Sequence, residues 1–209
     1  MDLASKINSY FPKELLELLQ DTSAEANKLG QRVYLVGGIV RDLLIGYPNF
    51  DLDLVTEGDA IELANRIARM SEAKLVIHPR FNTAKIKSGD FAIDIATARS
   101  ETYASHGALP TVTPCPIEKD LFRRDFSINA MAISLTPEHY GELLDPYHGK
   151  DDLDAHLIRI LHPGSFTDDA TRILRAIRYE QRLGFNLEHE TAQLLKRDIS
   201  MLNTISGDR

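Results

Sequence analysis

Arg32-Val33-Tyr34-Leu35-Val36-Gly37-Gly38-Ile39-Val40-Arg41-Asp42-Leu43-Leu44-Ile45-Gly46, followed by Phe50-Asp51-Leu52-Asp53-Leu54-Val55, is the stretch on which the reading of the fold turns. Arg32–Val36 reads as a strand, and Gly37-Gly38 ends it. Ile39–Ile45 reads as a short helix stopped by Gly46. Phe50–Val55 alternates with period two, as a half-buried strand does. In this order, glycines let the backbone approach a ligand, and the helix N-terminus turns free N–H groups toward phosphate. Arg41 follows three residues after Gly38 and reaches the same phosphates. Asp51 and Asp53, at i and i+2, point to one face of their strand. Two such carboxylates repel unless a cation lies between them, and Mg²⁺ takes carboxylate oxygens together with a phosphate ligand. Taken singly, a tight turn and the solvated face of an edge strand leave the same traces.

Working outward, Pro12 opens an amphipathic helix over 13–29, with Leu15, Leu16, Leu18 and Leu19 on or near its buried side. Asp59 caps a helix over 59–70 with Ile61, Ala64, Ile67 and Ala68 at helical spacing. Lys74–Ile77, Ala84–Lys87 and Phe91–Ala96 read as strands. Asp94 lies in the last of these, among apolar residues where an aspartate needs a partner if it is buried. A metal shared with Asp51 and Asp53 is one such partner; exposure on an edge strand is the other reading. Residues 99–118 hold three prolines and no clear period, which predicts a mobile loop. Asp120–Ala130 reads as helix and Ile158–Leu161 as strand. Thr167–Leu183 reads as a strong helix stopped at Gly184. Its Arg172, Arg175, Arg178 and Arg182 fall within about a third of the circumference, with Asp169 one turn ahead to orient Arg172. A solvated helix with a surface ion pair has the same pattern.

The composition is that of a soluble globular protein, with 43% hydrophobic and 26% charged residues. The expectation is a mixed α/β domain over 1–150 and a nearly all-helical one over 151–209, with a sheet of about five strands. No apolar run approaches a membrane span, and the N-terminus has no signal-peptide pattern. A single cysteine, Cys115, excludes an internal disulfide and fits a reducing, cytoplasmic setting. One cysteine and seven histidines argue against structural zinc. The net charge of −7 lacks the overall basic balance of many nucleic-acid binders, so any such partner needs a local basic face. The final residues, ISGDR, carry no stop signal, which predicts a longer chain.

Four motifs in order carry a resemblance: Gly37–Gly46 with Asp51-Leu52-Asp53; Arg123-Arg124-Asp125-Phe126-Ser127-Ile128-Asn129-Ala130-Met131-Ala132; Leu144-Asp145-Pro146-Tyr147-His148-Gly149; and Asp168-Asp169-Ala170-Thr171-Arg172-Ile173-Leu174-Arg175-Ala176-Ile177-Arg178-Tyr179. Together they resemble the class II CCA-adding enzyme and bacterial poly(A) polymerase family, within the polymerase β nucleotidyltransferase superfamily. The resemblance implies a mixed-sheet nucleotidyltransferase head followed by a helical neck. It implies CTP or ATP as donor and the 3′ end of tRNA or another RNA as acceptor. By position, Asp51 and Asp53 bind catalytic Mg²⁺, with Asp94 completing the site. Gly37, Gly38 and Arg41 hold phosphates, Arg124 contacts the nucleotide and Asp125 places the ribose. Asp169 and Arg172 read the base, while Arg175 and Arg178 line the triphosphate site. Residues 99–118 match the family's flexible loop, linked to the switch between adding C and adding A. One departure is Asp168-Asp169 where the family has Glu-Asp. A poly(A) polymerase shares these motifs, and a silent nucleotide-binding module is the non-enzymatic alternative. No oligomeric state follows, and the family's tRNA-gripping body and tail fall outside these residues.

Overall fold

The computed structural model describes residues 2–71, 73–89, 91–102 and 111–205. Two helices, α1 (Leu3–Tyr10) and α2 (Lys13–Lys28), lead into β1 (Arg32–Val36), α3 (Gly38–Ile45) and β2 (Leu52–Glu57). Then come α4 (Ala60–Met70), β3 (Lys74–His78), β4 (Thr83–Ser88) and β5 (Phe91–Thr97). Asp59 caps α4 as its spacing predicts, its Oδ1 accepting from the N–H groups of Ile61 and Glu62 at 2.9 and 3.0 Å. A hairpin of β6 (Arg99–Thr102) and β7 (Thr111–Pro114) follows, then α5 (Ile117–Phe122), β8 (Ala132–Ser134) and β9 (Leu143–Leu144). The remainder is α6 (Gly149–Asp154), β10 (Leu157–Ile158), α7 (Ser165–Asp168), α8 (Thr171–Leu183), β11 (Asn186–Leu187) and α9 (His189–Asp198).

The main sheet is mixed and has seven strands in the order β3-β4-β5-β2-β1-β8-β9. Only β2 and β5 run parallel; the other neighbours are antiparallel. Alternation sorts the two faces. Val33, Leu35, Leu52, Leu54, Ile86, Ile93 and Ile95 pack with α2 and α4 into the main core. Burying each such side chain stabilises by about 1.5–3 kcal/mol. Tyr34, Val36 and Val55 point the other way and meet Ile117 and Leu121 of α5. That second face is only partly covered, and it carries Asp53.

Several expectations are corrected. The sheet has seven strands, not about five; β8 and β9 are three and two residues long, too short to show a period. The predicted mobile loop over 99–118 contains the β6–β7 pair, the link Cys115-Pro116 and the first two residues of α5; residues 103–110 lie outside the described residues. The helix expected over 120–130 runs from Ile117 to Phe122, followed by a single 3₁₀ turn at Ser127–Asn129. Asp125 accounts for the break: its carboxylate accepts from the Phe126 N–H at 2.9 Å, a local bond that competes with helix. The strand expected at 158–161 shrinks to β10 and a bridge from Ile160 to Phe126. The helix expected over 167–183 is two, because Asp169 Oδ1 accepts from both Thr171 N and Oγ1 and starts a new helix. Beyond residue 150 the chain is mostly helical, with β10 and β11 as a short parallel pair. The main core runs without a break from Ile7 to Leu195, so the second half packs on the first. Among the described residues, no helix is long and apolar enough to cross a membrane.

Candidate active site

Where α3, the turn after α5 and α8 converge, they enclose a polar cleft of about 350 Å³. Gly37 sits at its base with φ 76° and ψ −134°, a conformation that side chains disfavour. A Cβ there would stand 2.7 Å from Arg124 Nη1, so the glycine also makes room for that guanidinium. Gly38 opens α3, and a Cβ on it would lie 3.5 Å from Arg41 Nη2.

The basic wall is buried and closely wired. Arg41, 1% exposed, places Nε and Nη2 at 2.8 and 2.7 Å from Asp42 Oδ1 and donates from Nη1 to Asn129 Oδ1 at 2.6 Å. Its guanidinium also lies 5.2 Å over the Tyr179 ring. Arg124 donates from Nη2 to Asp120 Oδ2 at 3.1 Å. Asp120 is fully buried and also accepts from Arg123 and from the Arg99 N–H. Burial pushes the Asp120 carboxyl up, but Arg124 and Arg123 outweigh it and hold the pKa below the ordinary value. Asp125 Oδ1 accepts from Asn129 Nδ2 at 3.0 Å, and its Oδ2 pairs with Arg175 Nη2 at 2.5 Å. Arg172, 6% exposed, donates to Ser165 Oγ and to the Arg123 carbonyl, both at 2.7 Å. Two buried donors, Arg124 Nε and Arg175 Nε, have no hydrogen-bond partner. Buried donors of this kind want an acceptor, and a phosphate entering the cleft supplies one.

The acidic wall differs. Asp51 and Asp53 line the cleft but stay exposed. Asp51 is located through its backbone: its N–H donates to Asn49 Oδ1 at 3.0 Å, and Asn49 Nδ2 donates to Asp42 Oδ2 at 2.8 Å. Although solvent still reaches Asp53, partial desolvation in the cleft raises its pKa, Asp94 and Asp51 raise it further, and Arg124 opposes them. Crowded like charges with all-oxygen donors suit a hard divalent cation such as Mg²⁺. Among the described residues, no three acids, histidines or cysteines gather closely enough to enclose a metal ion, so substrate oxygens would complete its shell.

Two expected site residues stand outside the cleft lining. Asp94 pairs with Asp53 in register, yet its side chain is 51% exposed and lies 2.8 Å from Lys85 Nζ. Its apolar neighbours suggest burial, but they face the core alternately while Asp94 faces the uncovered side. Arg178 is exposed, 5.8 Å over the Tyr179 ring. It falls at the rim of the helical stripe, and Arg182 lines the cleft instead, 3.7 Å from Asp42. Asp169 lines the cleft, but its carboxylate binds Thr171, not Arg172. The sequence reading missed Asp42, Asn49, Asp120, Asn129 and Ser165. An acid beside a buried arginine is the only local signal for any of them.

Fold and site together define a mixed α/β protein in which an arginine-lined cleft wall faces paired carboxylates. The chain belongs to the poly A polymerase head domain family, which residues 33–159 match. It is 46% identical over 194 residues to the A-adding tRNA nucleotidyltransferase of Halalkalibacterium halodurans, covering 92% of this chain and 45% of that protein. It is 49% identical over 170 residues to the A-adding tRNA nucleotidyltransferase of Aquifex aeolicus, covering 81% of this chain and 21% of that protein. The chain thus spans less than half the length of either relative. The solved structure of the Thermotoga maritima CCA-adding enzyme complexed with tRNA superposes with a TM-score of 0.87 at 42% identity, over 99% of this chain and 48% of that one.

Proposed function

We propose that the chain carries out Mg²⁺-dependent nucleotidyl transfer, adding AMP from ATP to the 3′ end of a tRNA that already ends in CC. The observation that carries this is the cleft itself. Exposed Asp51 and Asp53 face Arg124 and Arg175, each with an unpartnered buried Nε. Both relatives described above bear the A-adding name, which favours AMP over CMP.

In this reaction the RNA 3′-OH attacks the α-phosphate of ATP and pyrophosphate leaves. Asp51 and Asp53 would hold Mg²⁺, which when bound neutralises phosphate oxygens as a Lewis acid. Asp94, one strand further out, would add a third carboxylate if freed from Lys85. Gly37 and Gly38 let the backbone approach the phosphates, while Arg41, Arg124 and Arg175 supply positive charge held in place before substrate arrives. Arg178 would join them only by swinging from the rim. Asp125 is held by Asn129 and Arg175 where a ribose hydroxyl can reach it. Asp169 and Arg172 offer acceptor and donor to a base edge, and Ser165 fixes the Arg172 guanidinium, as a protein-side template requires. In this reading residues 1–150 form the catalytic head and 151–209 the base-selecting neck, acting in the cytoplasm.

The test is incubation of the purified chain with Mg²⁺ and tRNAs ending before CCA, after C and after CC, each with labelled ATP, CTP or both. A single A on the CC end is the expected product. Completed CCA on shorter ends would move the assignment to a CCA-adding enzyme, and long A tails to a poly(A) polymerase. Nucleotide binding without transfer would leave a silent module.

A further inference from the structure

The uncovered face of the sheet continues past the carboxylates onto β5, β4 and β3. On β3, Leu75 and Ile77 pack toward the core, while Lys74, Val76 and His78 stand exposed on the opposite side. On β4, Ala84 and Ile86 are buried, and Lys85 and Lys87 alternate with them. Register places these residues in two rows across the strands. One row runs Asp53, Asp94, Lys85, Val76. The next runs Ala92, Lys87, Lys74, with Asp51 immediately before β2 on the same side. The first row therefore passes from negative to positive at β4 and ends on neutral Val76, and the second passes from neutral Ala92 to positive on β4 and β3, on strands roughly 5 Å apart. Lys85 is one strand from Asp94, with its Nζ on that carboxylate at 2.8 Å. Lys74 and Lys87 face each other with no acid between them in register.

We infer that this face is the track of the acceptor RNA, with Lys74, Lys85 and Lys87 meeting the backbone phosphates next to its 3′ end. The inference rests on the proposed transfer reaction. The charge order sets the polarity of the strand. Phosphates are repelled from the Asp53 and Asp94 end and drawn to the lysines, whereas the terminal ribose carries a neutral hydroxyl that tolerates the acidic end. An RNA laid across the strands therefore brings its 3′-OH to the carboxylates and its phosphates to β4 and β3. In a chain of net charge −7, a local lysine cluster is what gives a polyanion a place to land. Among the described residues of β3, β4 and β5, the apolar side chains on this face are the small ones of Val76, Ala92 and Ala96, which disfavours a protein partner.

The experiment uses the whole chain carrying Lys74→Glu and Lys87→Glu, both exposed and outside the cleft. A dye-labelled acceptor-stem RNA ending in CC is titrated by fluorescence anisotropy between about 50 and 200 mM salt, and steady-state transfer is measured with ATP and RNA varied separately. The expected result is RNA binding weakened about tenfold at low salt. The slope of log K against log salt should become shallower by about 1.4, from roughly 0.7 per phosphate contact. KM for RNA should rise while KM for ATP and kcat hold. Lys74→Gln with Lys87→Gln should give a smaller change of the same sign. Equal RNA affinity and slope in parent and charge-reversed chain overturn the inference, as does a parent chain that binds no RNA. Lysine-dependent binding with no AMP transfer by the parent would instead remove the transfer reaction and leave the track standing.

Discussion

The two walls of the cleft are built in opposite ways. Arg41, Arg124, Arg172 and Arg175 are each tied to a named acceptor, and Arg41 and Arg172 are almost wholly buried. Asp53 and Asp94 stand on an open sheet face by backbone register, with Asp51 just ahead of β2, and of the three only Asp94 forms an ion pair among the described residues, to Lys85. A buried guanidinium is costly unless paired, so the basic wall must be completed by the protein before any ligand arrives. Carboxylates already neutralised by protein cations would attract a metal cation less, so the acidic wall stays largely unpaired. Under the proposed reaction, stability and function therefore separate in space: the basic wall would contribute to both, and the acidic wall to function alone.

That separation breaks if a carboxylate proves structural. Asp53→Ala should lower AMP transfer about 10³-fold, since a bound metal is worth several kcal/mol at the transition state. Its thermal unfolding should match or exceed the parent's, and Asp51→Ala should lower transfer in the same way. An Asp53→Ala chain that melts many degrees lower would show that the acidic wall carries fold as well. On the opposite wall, Asp42→Ala leaves Arg41 buried beside a missing partner, and the expected loss in urea unfolding is about 3–5 kcal/mol. Asp42→Asn, which keeps one acceptor for Arg41 but gives up the one that Asn49 Nδ2 uses, should lose less. Equal stability of Asp42→Ala and parent would mean that Arg41 finds another partner.

The same contrast governs what the sequence made legible. Asp53 was readable because strand alternation sets it opposite Leu52 and Leu54; the strand expected over 50–55 runs from Leu52 to Glu57, and Asp51 reaches the cleft from the stretch just ahead of it. Gly37-Gly38 and the arginines of α8 were readable because turn chemistry and helical phase are local. The partners of the basic wall were not: Arg41 meets Asn129 across 88 positions of chain, and Arg172 meets the Arg123 carbonyl across 49. Nothing in either neighbourhood signals such a contact. Asp94 stayed open between two readings for a related reason: an apolar run shows that a strand is buried on one face but not whether the other face is covered, and the structure gives the exposed one. The β6–β7 hairpin escaped notice because its prolines read as loop, whereas Pro114 ends β7 and Pro116 starts α5.

Gly37 lies where the walls meet and gives a smaller effect. Gly37→Ala combines a disfavoured φ of 76° with a Cβ 2.7 Å from Arg124 Nη1. A stability loss of about 1–3 kcal/mol is expected from the backbone. The displaced Arg124 should raise KM for ATP more than KM for RNA. An unchanged KM for ATP, measured at a temperature where the variant is folded, would detach Arg124 from the nucleotide.

The smallest effect is the most direct reading of the contrast, because Asp120 and Asp53 are shifted in opposite directions. Asp120 has its folded pKa depressed below the 3.8 of an ordinary aspartate. The unfolded chain therefore binds its proton first as pH falls, and the stability Asp120 contributes, complete above that ordinary value, is lost as pH drops through the folded pKa. Asp53 has its folded pKa raised above 3.8. The folded chain binds that proton first, so the destabilisation Asp53 imposes is complete above its folded pKa and relieved as pH falls through it. In Mg²⁺-free buffer, Asp53→Asn should then match or exceed the parent's stability at neutral pH, with the difference closing in acid. Asp120→Asn should be less stable than the parent at neutral pH, and that gap should also narrow in acid. Urea unfolding of the three chains at several pH values between about 3 and 7 reads both curves. Differences of the same sign at neutral pH would show that the two walls share one electrostatic logic after all, whereas opposite signs place the cost of the open carboxylates where Mg²⁺ would relieve it.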